Sequence, residues 1–268
     1  MTRRILLIAL AVLALVASGC DKKHVSKENT PDDNGPAIEF QRNPCSDTME
    51  PLGSGKSING RSGQEVSGNV ASTDWQYHLW CEGGNNTLKY YDNGLFSASW
   101  SNTMNSLAGV GYFYGSPGES PDGKQYDAYF KHTKTGSAGS YSYIGIYGWT
   151  LNPLTEFYIV EDWYTKPGSA VGQKKGSSTV DGATYDIYQN TRVNVPSIDG
   201  TATFPQYFAV RSSPRQCGHI NISEHFENFE KLGMRLGKIY EVMYMVEVGG
   251  GTGSLECKYF HMGDGKNN

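Results

Sequence analysis

Charge is scarce in this sequence. Only 19% of its 268 residues are Asp, Glu, Lys or Arg, too few to clothe the exposed faces of a helical bundle, which are rich in Glu and Lys. The net charge of −4 shows no basic excess, and this excludes the electrostatic footprint of a nucleic-acid-binding protein. Long apolar runs are also lacking. The one extended run, "ILLIALAVLALVA", lies at the start of the chain and is too short to span the ~30 Å hydrocarbon core of a bilayer. There is no CxxC and no HExxH, the six histidines have no paired spacing, and "GSGK" at Gly53 to Lys56 lacks the length of a phosphate-binding loop. Neither a metal nor a cofactor is expected. What the chain has instead is 33 glycines, 18 tyrosines and 5 tryptophans, a composition that leans towards an all-β protein.

The first residues read as a targeting segment. Arg3 and Arg4 supply the charged start, the apolar run follows, and "VASGC" places small residues immediately before Cys20. This pattern resembles a bacterial lipobox, which implies a signal peptide over 1–19, lipidation at Cys20 and an extracytoplasmic, membrane-anchored protein exposed at the cell surface. Loss of Arg3 and Arg4 takes the formal charge from −4 to −6. "DKKHVSKENTPDDNGP" then reads as a flexible tether over 20–36. Residues 37–71 form a poorly defined extension whose one strand candidate is "AIEFQ". Four further cysteines, Cys45, Cys81, Cys217 and Cys257, read as disulfide staples of an oxidising compartment, with three possible pairings.

From Ser72 the chain consists of short alternating runs closed by turn signals. "YHLWCE", "TLKYY", "LFSASWS" and "AGVGYFYG" come first; "YSYIGIYGWT", "EFYIVEDWY", "ATYDIYQNTRV", "ATFPQYFAVRS" and "YEVMYMVEV" follow. Period-two alternation at this spacing predicts antiparallel strands in a sandwich or barrel. The one helix candidate is "SEHFENFEKLGM", with Ser223 as N-cap, Phe226, Phe229 and Leu232 on one face and Gly233 as the stop. Residues 115–140 read as a long turn-rich loop.

Within "TEFYIVED" alternation places Glu156, Tyr158 and Val160 on one face and Phe157, Ile159 and Glu161 on the other. Glu161 is therefore expected to be a solvated or salt-bridged structural residue. The preceding strand likewise aligns Tyr143, Gly145, Tyr147 and Trp149, where a glycine among aromatics would leave room for a flat ligand such as a sugar ring. A carboxylate sharing such a stripe would be costly to bury dry.

These runs resemble glycoside hydrolase family 11, the small β-jelly-roll xylanases. "YGWTLNPLTEFYIVEDW" is similar to the family's nucleophile strand, "TYDIYQNTRVNVPSIDGTATFPQYFAVR" to its cord and thumb hairpin, "HFENFEKLGMRLG" to its helix and "YEVMYMVE" to its acid/base strand. The resemblance implies a jelly-roll sandwich of two strongly twisted antiparallel sheets over 72–262, with one helix and a thumb tipped by Pro196 to Gly200. It further implies an endo-β-1,4-xylanase acting on xylan or xylo-oligosaccharides with retention, as a monomer and without a cofactor. By position Glu156 resembles the nucleophile and Glu247 the general acid/base, the two carboxyls that a retaining glycosidase requires. Ionisation of Glu156 would then discourage that of Glu247. Substrate-binding positions carried over in the same way are Trp80 at the outer glycone-side subsite, Tyr147 and Tyr158 beside the nucleophile, and Tyr143 and Trp149 in the cleft. Arg192 falls at the thumb base, Pro196 at its tip, Gln206 near the glycone-side sugar, and Asn105 against the acid/base, where asparagine goes with a near-neutral optimum.

The sequence departs from the family pattern after Glu247, where "EVGGGTGS" stands for "EGYQSSGS", and at Glu241, which occupies the place of a sugar-contacting tyrosine. Tyr240, one place earlier, would face away unless a bulge intervenes. Leu151 and Phe157 also replace common residues, and the 113–140 segment could reshape one end of the cleft. Two alternative readings follow: a non-catalytic xylan-binding lipoprotein, and a related jelly-roll β-1,4-endoglucanase.

Overall fold

Alternation becomes fifteen strands and one helix among the described residues of the computed structural model, which are 43–46, 51–71 and 73–263. The chain begins with β1 (Gly55–Asn59), β2 (Val66–Asn69), β3 (Gln76–Glu82), β4 (Asn85–Tyr91), β5 (Phe96–Ser101) and β6 (Asn105–Phe113). Next come β7 (Asp127–Gly136), β8 (Ser142–Leu151), β9 (Thr155–Asp162) and β10 (Gln173–Val180). β11 (Ala183–Ser197) and β12 (Gly200–Arg211) form the long thumb-bearing hairpin. β13 (Cys217–Asn221), helix α1 (Ile222–Lys231), β14 (Lys238–Val248) and β15 (Thr252–Met262) complete the order. The lipobox with Cys20, the tether and the candidate strand "AIEFQ" lie outside the described residues. Among the described residues no helix is long and apolar enough to cross a membrane.

The strands form two sheets, as the sandwich expectation requires. One has six strands in the order β1-β4-β5-β15-β7-β13, and the other nine in the order β10-β11-β12-β9-β8-β14-β6-β3-β2. The pairing of β9 with β12 is parallel and sets Gln206 opposite Glu156; the other strand pairs are antiparallel. The main apolar core draws on both sheets, with Leu88, Phe96 and Phe130 from the six-stranded one and Phe157, Ile159 and Tyr244 from the nine-stranded one. A second cluster, including Tyr143, Tyr147, Tyr158, Phe208 and Met245, covers the other face of the nine-stranded sheet. Successive β9 residues thus alternate between the two clusters, which is why this strand is buried along its whole length.

Several sequence expectations change. The 37–71 stretch, read as an extension, supplies β1 to one sheet and β2 to the other. Their mostly polar and partly exposed side chains fit sheet-edge strands and carry little apolar signal. The expected 115–140 loop contains β7, in which Ala128, Phe130 and His132 alternate inward between exposed or half-buried neighbours. Helix α1 is capped by Asn221 instead of Ser223, since the Asn221 side chain accepts from the Glu224 amide at 3.0 Å. The Ser223 hydroxyl instead accepts from the Tyr126 amide at 2.8 Å. Gly233 follows the helix with φ +74°, as a helix stop should.

Of the four expected staples, only Cys45 and Cys217 are joined; Cys81 and Cys257 are free and buried. The free pair is divided between the sheets, Cys81 on β3 and Cys257 on β15, and each behaves as a small buried hydrophobe. Glu161 is buried and paired with Arg215, the salt-bridged one of its two expected roles, and is not solvated. A bulge opposite Ile144 and Gly145 lets Glu161 and Asp162 both find partners that tie β9 down. Glu161 accepts from Tyr185 at 2.6 Å and from Arg215, while Asp162 meets Lys134 at 2.6 Å and His132 at 2.9 Å on β7 of the other sheet.

Candidate active site

The outer face of the nine-stranded sheet and the thumb enclose a cleft of about 360 Å³. All eleven candidate catalytic and sugar-binding residues expected in the cleft line it. Glu156 comes from β9, Glu247 from β14, Trp80 from β3 and Asn105 from the start of β6. Arg192 and Pro196 reach in from β11, and the tip is a tight turn in which the Ser197 hydroxyl donates to the Gly200 carbonyl at 2.7 Å.

Glu156 is 7% exposed. A carboxylate so placed loses several kcal/mol of hydration unless protein donors replace the water. They do so in a fixed arrangement. Tyr158 donates to Oε1 at 2.9 Å, and the Gln206 amide donates to Oε2. Asn190 donates to the Gln206 carbonyl oxygen at 3.0 Å and so orients that amide with its NH2 towards Glu156. The Tyr147 hydroxyl accepts from the Trp149 indole, which leaves its own proton for Glu156. Burial pushes the Glu156 carboxyl up, while Gln206, Tyr158, Tyr147 and the charge of Arg192 pull it back.

Glu247 is held differently. Its Oε1 accepts from the Asn105 amide at 2.9 Å, and the second hydrogen of that amide goes to the Tyr141 hydroxyl at 2.6 Å. Its Oε2 has no protein partner. Burial first, and the negative charge of Glu156 second, raise Glu247 to about 7. Below about pH 7 Glu247 therefore keeps its proton, on a carboxyl whose Oε2 has no protein partner. One carboxylate poised to attack and one acid poised to protonate are the requirements for cleaving a glycosidic bond.

Two sequence inferences about this face need revision. Gly145 does not make room for a ligand: it has φ +152°, and a Cβ there would lie 2.1 Å from the Ile159 carbonyl oxygen, so it serves close backbone approach at the bulge. Glu241 and Tyr240 both belong to the cleft side, because a bulge between Ile239 and Glu241 breaks the alternation. Sequence reasoning also missed Tyr141, which steadies Asn105, and His78, which lies beside Glu241. Period-two spacing from Tyr143 and from Trp80 marks both positions as cleft-facing.

A family model described as "Glycosyl hydrolases family 11" matches residues 72–258. Endo-1,4-beta-xylanase C of Fibrobacter succinogenes is 52% identical over 221 residues, covering 82% of this chain and 36% of that protein. Endo-1,4-beta-xylanase S20 of Neocallimastix patriciarum is 40% identical over 224 residues, 81% of this chain and 65% of that one. The chain thus spans less than two thirds of the length of either relative. The crystal structure of wild-type ENZbleach xylanase superposes with a TM-score of 0.77 at 38% identity, covering 87% of this chain and 96% of that one. That likeness identifies the two-sheet sandwich as a jelly roll of this kind.

The electrostatics yield one prediction. In a carbon-detected NMR titration, Glu247 should lose its proton at about pH 7, and Glu156→Gln should lower that midpoint by removing the neighbouring negative charge. Asn105→Ala should raise it, because the lost hydrogen bond favours the ionised form. An unchanged midpoint in Glu156→Gln would show that the two carboxyls are not coupled.

Proposed function

Because the chain belongs to glycosyl hydrolase family 11, we propose that it is an endo-1,4-β-xylanase that cuts internal linkages of xylan by retaining double displacement. The observation that carries this reading is the unlike treatment of two buried carboxyls in one cleft. Glu156 is surrounded by donors and an arginine, whereas Glu247 keeps its proton to about pH 7 with one oxygen unpartnered. In this reading Glu156 attacks the anomeric carbon while Glu247 protonates the leaving oxygen. A covalent glycosyl-enzyme forms, and Glu247, now ionised, takes a proton from the water that hydrolyses it.

The remaining candidates act by holding the sugar chain. Trp80 is half-buried and offers its ring for stacking on the glycone side, Pro196 and Arg192 close over the sugar from the thumb, and Tyr143 and Trp149 shape the cleft floor. A binding protein without catalysis would have little need for two buried carboxyls in one cleft, one ringed by donors and the other raised by its neighbour's charge, which favours the enzyme over the non-catalytic reading. We further read the protein as a lipoprotein anchored through Cys20 at the cell surface, on the strength of the apolar run and "VASGC". Its domain is read as a monomer: among the described residues the exposed large apolar side chains are Met104 and Val193.

Two outcomes are expected. Reducing-sugar assays on xylan and carboxymethylcellulose should find activity on xylan, with a loss of about 10²–10⁴-fold in Glu247→Gln and a loss at least as large in Glu156→Gln. Activity undiminished in either variant would remove the role assigned to that residue, and a preference for carboxymethylcellulose would favour the endoglucanase. In cells, Cys20→Ala should move the protein from the membrane fraction to the soluble one; unchanged membrane association would contradict the lipid anchor.

A further inference from the structure

The donor on Glu247 is itself held from behind. The Asn105 amide spans two side chains, giving one hydrogen to Glu247 Oε1 at 2.9 Å and the other to the Tyr141 hydroxyl at 2.6 Å. Its own Oδ1 has no partner among the described residues. Both restraints on the amide therefore act through its NH2 group. An amide held at one point only can swing away or turn over, and turning over would set a lone-pair oxygen against the ionised Glu247 carboxylate. Tyr141 supplies the second point. Burial and the charge of Glu247 raise the Tyr141 phenol above its usual range, so it stays neutral.

Two neighbouring chain connections put Tyr141 there. β7 leads into β8 and β14 into β15, and each connection crosses from one sheet to the other. They are stitched together: the Ser140 amide donates to the Gly249 carbonyl at 2.9 Å, and the Gly249 amide to the Tyr141 carbonyl at 3.0 Å. The Tyr141 ring stacks on Tyr143 with centroids 5.3 Å apart and planes inclined by 23°. The remaining condition is room at position 249. A Cβ on Gly249 would overlap Cδ1 and Cε1 of the Tyr141 ring. Gly249 is also the residue of "EVGGGTGS" that stands at the tyrosine of "EGYQSSGS", so this departure from the family pattern is what admits the ring.

We propose that Tyr141 is a positioning residue for the acid/base, fixing Asn105 against Glu247, and that glycine at 249 is what lets its ring reach that place. A donor held on Oε1 favours the ionised form of Glu247, the form that must take a proton from water in the second step of the reaction. Loss of the Tyr141 hydroxyl weakens that donor and shifts the balance towards the protonated acid. The other groups around Glu247 are Glu156 and Tyr158 from β9, Tyr143 and Tyr147 from β8, and Arg192 from β11; Glu82, at the end of β3, acts on Tyr141. This inference rests on the xylanase reading for its effect on rate.

The test is a double-mutant cycle read on the Glu247 titration by carbon-detected NMR. Tyr141→Phe, which keeps the ring and removes the hydroxyl, should raise the midpoint from about 7 by about half a pH unit, part of the worth of one hydrogen bond. Gly249→Ala should raise it as well, although it removes no hydrogen-bonding side chain, because it displaces the ring. In the Asn105→Ala background, Tyr141→Phe should add nothing, since its route to Glu247 is gone. On xylan, the alkaline limb of kcat/KM for Tyr141→Phe should move to higher pH in step with the midpoint. A midpoint that stays in place in Tyr141→Phe, with only a lower Tm, would reduce Tyr141 to packing. An equal shift with and without Asn105 would show a direct field instead of positioning. Either result, with xylan still hydrolysed, would overturn the proposal and leave the xylanase reading standing. No xylan hydrolysis by the unmodified protein would remove that reading, and with it the role of Tyr141 in catalysis.

Discussion

The cleft depends on a strand buried on both faces. β9 has to satisfy the inter-sheet core with Phe157 and Ile159 and the cleft with Glu156, Tyr158 and Val160, in strict alternation. A carboxylate on such a strand is expensive unless it is fully hydrogen-bonded. Its donors come from its own strand and both adjoining strands: Tyr158 from β9, Tyr147 from β8 and Gln206 from β12. The parallel pairing of β9 with β12 matters here, because it sets Gln206 directly opposite Glu156. The far end of β9 is tied down as firmly, through Glu161 with Arg215 and Tyr185 and through Asp162 with His132 and Lys134. Breaking a buried ion pair of this kind typically costs about 3–5 kcal/mol, so the strand that carries Glu156 has little freedom to shift.

The same scaffold treats the second carboxyl in the opposite way. Glu247 receives one amide donor, keeps one oxygen free and sits within the field of Glu156. Burial raises both acids; the donors and Arg192 around Glu156 pull it back, while its negative charge pushes Glu247 further up, and this separates them. The difference between the two acids thus lies in donors and a neighbouring charge that strand order and register set in place.

Strands with clean alternation were legible from the sequence, and so was the facing of most of their side chains. Glu156 and Tyr158 could be assigned to one face, and Tyr143, Tyr147 and Trp149 to another strand's matching face, because period two holds there. Family resemblance was needed to connect Glu156 with Glu247, since no local pattern relates positions so far apart in the chain. β7 was hidden because it follows a run of turn formers and its inward face includes His132. The bulges near Gly145 and Glu241 escaped because each breaks the rule by which faces are read. Cysteine pairing was out of reach for a related reason: whether Cys81 and Cys257 can meet depends on which sheet each strand joins.

The central claim is that Glu156 forms a covalent bond to the sugar and that Glu247 supplies and then recovers the proton. Its most direct test is peptide mass spectrometry after reaction with a 2-deoxy-2-fluoro-xylobiosyl fluoride, which slows release of any glycosyl-enzyme. The account predicts one fluoroxylobiosyl adduct per protein, located on the peptide containing Glu156. An adduct on a different residue, or turnover whose first product has the inverted anomeric configuration, would contradict it.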